Sequence, residues 1–172
     1  GLTVAAPKRA SEREIRRGLE SKAGWILAKL DAWASRPAPR ELSFQTGETL
    51  PWLGDDLTLE LRGEGVRTTV RLDGGTLILR HDPDLAGELR QRTLGQALQR
   101  FYKREGTAFM TPRVEHYAAR LDRPVRKVIV RDQKRRWGSC APDGTIRLNW
   151  RLMGFPQALI DYVCAHEAAH LV

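Results

Sequence analysis

A chain of 172 residues has room for one domain with a real core, or for a catalytic unit with a small appendage. Lys and Arg outnumber Asp and Glu by 29 to 21, and the net charge of +8 suits a nucleic-acid or other polyanionic partner and a solvated basic surface alike. Two cysteines exclude a disulfide framework, no stretch approaches the ~20 apolar residues of a membrane span, and no charged-then-apolar leader opens the chain, so a reduced, cytoplasmic protein is expected.

Leu2 to Ala6 reads as the end of a strand closed by Pro7. Ser11 offers an N-cap with Glu14 as its capping-box partner. Ile15, Leu19, Ala23, Ile26, Leu27, Leu30 and Trp33 then recur at helical spacing, so one amphipathic helix is expected over 12–35, stopped by Arg36-Pro37-Ala38-Pro39. Strand character follows at Leu42 to Thr46, Leu57 to Arg62, Val66 to Leu72 and Thr76 to Arg80, with Asp73-Gly74-Gly75 the clearest hairpin turn.

From Asp84 the period changes to that of a helix running through Leu85, Leu89, Leu94, Leu98, Phe101 and Tyr102 to about Glu105, with Gly106 as its stop. Thr111-Pro112 starts another, whose apolar face is Val114, Tyr117, Ala118 and Leu121. Val125 to Val130 reads as a strand, Lys134 to Gly144 as a loop, and Thr145 to Asn149 as a hairpin partner strand across the Asp143-Gly144 turn. A last helix begins at Pro156. The division expected is an N-terminal helix and β-rich portion over 1–83 and a catalytic portion over 84–172.

That last helix carries His166-Glu167-Ala168-Ala169-His170. Residues four apart on a helix share a face, so the two imidazoles can meet one metal ion while Glu167 reaches a water on it. This is the HExxH pattern of zinc hydrolases, with His166 and His170 as ligands of Zn²⁺ and Glu167 as general base. For this composition roughly 0.006 matches are expected by chance, which favours ligands over two histidines satisfied in a core helix. The remaining histidines, His81 and His116, have no motif around them.

The order Val128-Ile129-Val130-Arg131, Lys134, Arg136-Trp137-Gly138-Ser139-Cys140, Gly144-Thr145-Ile146, Leu148-Asn149, Leu152, Pro156, Tyr162-Val163 and His166-Glu167-x-x-His170-Leu171 resembles the YgjP-like metallopeptidase-domain family, itself similar to SprT-like and Wss1-like zinc peptidases. Weaker similarities lie upstream at Trp25-Ile26 and Leu50-Pro51-Trp52-Leu53-Gly54. The resemblance implies an α+β fold, a minimal gluzincin-like zinc peptidase core preceded by a small β-rich portion. It implies zinc on His166 and His170, Glu167 as base, and a third ligand, a histidine expected beyond Val172, the chain reading as a piece cut short there.

In the Arg136 to Cys140 loop, Gly138 would let the backbone approach the site and Trp137 would pack under the hairpin. Arg136 or Ser139 could stabilise a developing oxyanion, or the loop could simply brace the hairpin against the metal helix. Tyr162 shares the face of His166 and is a candidate support for it; Asp161 reads as an acidic residue near a helix start. Cys140 and Cys164 read as packed free thiols. The function expected is a zinc-dependent metallopeptidase acting on a peptide or protein. Two alternatives stand beside it: a metal-dependent hydrolase of nucleoside triphosphates, and a nucleic-acid or protein-binding module with a structural metal.

Overall fold

The computed structural model describes residues 4–7, 9–34 and 42–172. Two units are each packed on themselves, Gly1–Glu41 and Leu42–Val172. In the first, Ser11 and Glu14 form the expected capping box: the Ser11 N–H donates to Glu14 Oε2 at 2.8 Å and the Glu14 N–H donates to Ser11 Oγ at 3.3 Å. The single expected helix is two, α1 (Glu12–Ser21) and α2 (Ala23–Ala34). Lys22 leaves helical geometry at φ −113, and its N–H bonds back to Leu19 and Glu20. Residues 4–7 are not a strand. Leu2, the Trp33 side chain and the Arg36 to Pro39 stop lie outside the described residues.

In the second unit, four strands form one sheet in the order β1-β2-β4-β3: β1 (Thr49–Trp52), β2 (Asp55–Gly63), β3 (Thr69–Asp73) and β4 (Thr76–His81). The Gly74-Gly75 turn joins β3 to β4 antiparallel, as Asp73-Gly74-Gly75 foretells, whereas β2 and β4 run parallel. β1 was not among the expected strands; its Pro51 is tolerated because β1 is at the sheet edge. Leu42 to Thr46 is not a strand. Its polar groups turn inward on Glu48 instead, whose carboxylate accepts from Ser43 N–H (3.1 Å), Ser43 Oγ (2.6 Å) and Gln45 N–H (3.0 Å) and is thereby held below the usual carboxylate range.

The largest departure is α3, one helix over Gly87–Arg120 where two were expected. Gly106 and Pro112 lie inside it. Leu98, Tyr102, Gly106, Met110, Val114 and Ala118 are all buried and recur every four residues, so a single stripe passes through the supposed break. At Gly106 the missing side chain is what permits the packing: a Cβ there would stand 3.1 Å from Met110 Cε and 3.3 Å from Val130 Cγ1 and Met153 Cγ. Burial along this stripe outweighs the local breaker signals.

The second sheet has the order β5-β7-β6, from β5 (Lys127–Arg131), β6 (Gly138–Cys140) and β7 (Thr145–Asn149). β5 and β7 are parallel, so they are not the expected hairpin. The hairpin partner of β7 is β6, a short strand inside the stretch expected to be all loop. A 3₁₀ turn, Trp150–Gly154, leads to α4 (Gln157–Ala169). Both sheets and both long helices share one core through Leu59, Leu79, Leu94, Met110, Ile146, Leu148 and Ile160. The fold class is α+β.

Gly106→Val should lower the unfolding free energy by roughly 1–3 kcal/mol through overpacking. Urea titration checks this; a midpoint equal to that of the parent would mean that the α3 packing at Gly106 is looser than described.

Candidate active site

Along α4 two stripes diverge. Ile160, Val163, Cys164, Glu167 and Ala168 are buried, at the i, i+3, i+4, i+7, i+8 spacing of a core-facing stripe. Tyr162, His166 and His170, each four apart, form an exposed row beside it. Glu167 is the one charged residue of the buried stripe, only 6% exposed. His170 caps the helix.

The two imidazoles converge. Their Nε2 atoms are 3.3 Å apart, with ring centroids 4.9 Å apart and planes nearly perpendicular. Two imidazole nitrogens on one tetrahedral zinc, each at ~2.0–2.1 Å, would stand about 3.3–3.4 Å apart, so the pair fits such an ion. The Tyr162 ring stacks beside His166, centroid to centroid 6.1 Å. Among the described residues no group of three or more His, Cys, Asp or Glu is placed to hold a metal. His116 is elsewhere, against Tyr117. Asp161 accepts from Arg113 Nε at 2.8 Å, tying α4 to α3.

Glu167 is fixed by β6. A Cβ built on Gly138 would lie 2.5 Å from Glu167 Cγ and 2.6 Å from its Cδ, so only glycine lets the strand lie against this carboxylate. Burial pushes the Glu167 carboxyl above its ordinary value, and the His166, His170 and Arg136 charges pull it back. Arg136, Gly138, Ser139 and Cys140 line one open cleft of about 490 Å³ with His166, Glu167 and His170. The basic loop thus stands in the same cleft as the helix motif. Trp137 does not pack under the hairpin: it is 47% exposed and meets the Phe155 ring edge-on.

Cys140 is half-buried in the cleft wall, its thiol raised by burial and then by Glu167 and Asp143. Cys164 is core, pushed up to about 12 by burial, which makes it inert. Asn149 was given no role from the sequence. Buried at the end of β7, it donates from Nδ2 to the carbonyls of Gln133 (2.8 Å) and Arg136 (3.1 Å) and accepts from the Arg151 N–H (3.1 Å). One side chain therefore shapes the basic loop and caps the 3₁₀ turn that leads to α4. The available signal was an Asn just before a helical turn, where a side-chain cap is favoured.

Among the described residues no helix is long and apolar enough to cross a membrane. No curated protein and no solved structure matches the chain. A family of enzymes does: the YgjP-like, metallopeptidase domain matches residues 1–172, the whole chain, and the chain belongs to that family.

Proposed function

We propose that the chain is a zinc-dependent peptidase in which His166 and His170 hold the metal and Glu167 is the general base. The observation that carries this reading is the packing of a buried carboxylate against Gly138, directly beside two imidazole nitrogens at zinc-ligand spacing. Such an ion, when bound, supplies a Lewis acid that makes water nucleophilic near neutral pH and polarises a carbonyl.

The chain's own residues supply the rest. Glu167 Oε takes the proton from the attacking water and can return it to the leaving amine. Its burial raises its proton affinity, which favours that task, and the floor of β6 removes the freedom to swing away. Arg136 brings a positive charge to the cleft, where it can meet charge developing on a carbonyl oxygen, while Ser139 stands at the rim with its side chain on the other face of β6. Tyr162 limits the tilt of the His166 ring.

β6 lies at the edge of its sheet, and its pairing decides which backbone groups are open. The Asn149 N–H donates to Trp137 O and the Ala141 N–H to Thr145 O, so residues 137, 139 and 141 bond toward β7. By alternation Gly138 and Cys140 turn their N–H and C=O groups outward. An extended peptide can pair with them there, beside Glu167.

Glu167→Gln should keep zinc and fold while turnover of a peptide substrate falls roughly 10²-fold to 10⁴-fold. His166→Ala should lose the metal together with activity. Elemental analysis and a peptide-cleavage panel check both, with a nucleoside triphosphate panel alongside. Undiminished turnover in zinc-loaded Glu167→Gln would remove Glu167 as the base, and triphosphate hydrolysis without peptide cleavage would replace the substrate. Gly138→Ala should also keep zinc but lose on the order of tenfold to 10²-fold in kcat, because the new methyl displaces the base. Full activity in that variant would show that Glu167 does not need its position.

A further inference from the structure

A second depression, of about 570 Å³, adjoins the catalytic cleft and shares Arg136 and Ser139 with it. Its remaining walls include Arg131, Lys134, Arg135 and Arg147. Strand pairing shows where it lies. Ile129, Arg147 and Ser139 are partners across the three strands and share one face, while the neighbouring row Val130, Leu148 and Gly138 shares the other. Glu167 packs at Gly138, so it lies on the Leu148 side. Arg147 and Ser139 therefore point to the opposite, outer face, and the two depressions meet over the edge strand β6.

The charge on that outer face is only weakly compensated. Arg131, Lys134, Arg135, Arg136 and Arg147 have no ion-pair partner among the described residues, although Asp143 attracts Arg147 and Glu167 attracts Arg136 from beyond ion-pair distance. The carboxylate among them, Asp132, is taken by Arg151 and by Gln99 Nε2 (3.2 Å). Asn149 fixes the loop carbonyls of Gln133 and Arg136, and Gln133 Nε2 donates to Arg147 O at 3.2 Å, so the loop that carries Lys134, Arg135 and Arg136 is anchored to β7. Five cations held together repel one another, and an anion placed among them relieves that repulsion. Four of the five are arginines, whose forked donors match carboxylates in pairs.

Resting on the peptidase reading of the adjoining cleft, we propose that this outer face selects polypeptides with Asp or Glu at the alternate positions that pass over β6. An extended substrate paired with the outward groups of Gly138 and Cys140 points every second side chain to the face of Ser139 and Arg147. The patch is one depression at the rim of a cleft and not the extended basic stripe a nucleic-acid duplex requires.

The test uses zinc-loaded protein and fluorescence anisotropy with an Asp/Glu-rich peptide, its Asn/Gln counterpart, a single-stranded oligonucleotide and a nucleoside triphosphate. The acidic peptide should bind at least about tenfold more tightly than the amide peptide, with the preference shrinking as salt rises. The double variant Arg131→Gln, Arg147→Gln should lose about that factor for the acidic peptide and nothing for the amide peptide, with an unchanged circular dichroism spectrum. In cleavage assays the loss should appear in KM and leave kcat intact. Equal binding of the two peptides, or displacement of the acidic peptide by the oligonucleotide or triphosphate at lower concentration, would overturn the proposal. Charge-selective binding without cleavage would uphold this recognition and count against the peptidase reading alone.

Discussion

The approach of Gly138 to Glu167 is the contact on which the site depends. A buried carboxylate on the core-facing stripe of a helix is costly unless something fixes and uses it. Here the edge strand of a three-stranded sheet closes over it with no side chain between. The same contact sets the level of β6 relative to α4, while the pairing of β6 with β7 leaves the backbone groups of Gly138 and Cys140 open.

That contact is held from behind by packing. α3 runs under α4 and against β5, and Gly106 lets Met110, Met153 and Val130 close around it. Arg113 stacks on Phe109, 3.5 Å from its ring centre, and reaches Asp161 on α4. From the first sheet, the Leu53 N–H donates to Met153 O at 2.6 Å and so pins the 3₁₀ turn before α4, and Pro51 O accepts from Tyr102 Oη at 2.8 Å, which ties β1 to α3. Rigid elements on every side let a short helix hold its residues where chemistry needs them.

Much of this was readable in the sequence, for reasons that are themselves local. The His166-Glu167-x-x-His170 spacing, the Ser11 capping box and the Gly74-Gly75 turn each depend on neighbours a few residues away. The failures depended on distant partners. Gly106 and Pro112 look like helix breakers until the buried stripe from Leu98 to Ala118 is known to continue through them. β6 gives too little pattern to read, because it has only three residues and one of the inward positions must be glycine to admit Glu167. Likewise Thr145 to Asn149 follows a turn, yet its parallel partner β5 lies beyond the loop. Asn149 holds that loop by its side chain, which no periodicity reveals.

The central claim is that the two imidazoles take the ion while Glu167 stays off it, close enough to act on water. X-ray absorption at the zinc edge, on the parent and on Glu167→Gln, examines this most directly. Expected are imidazole nitrogens at about 2.0–2.1 Å and the same spectrum from both proteins. A spectrum that loses an oxygen neighbour in Glu167→Gln would make Glu167 a ligand, and the assignment of the base would be contradicted.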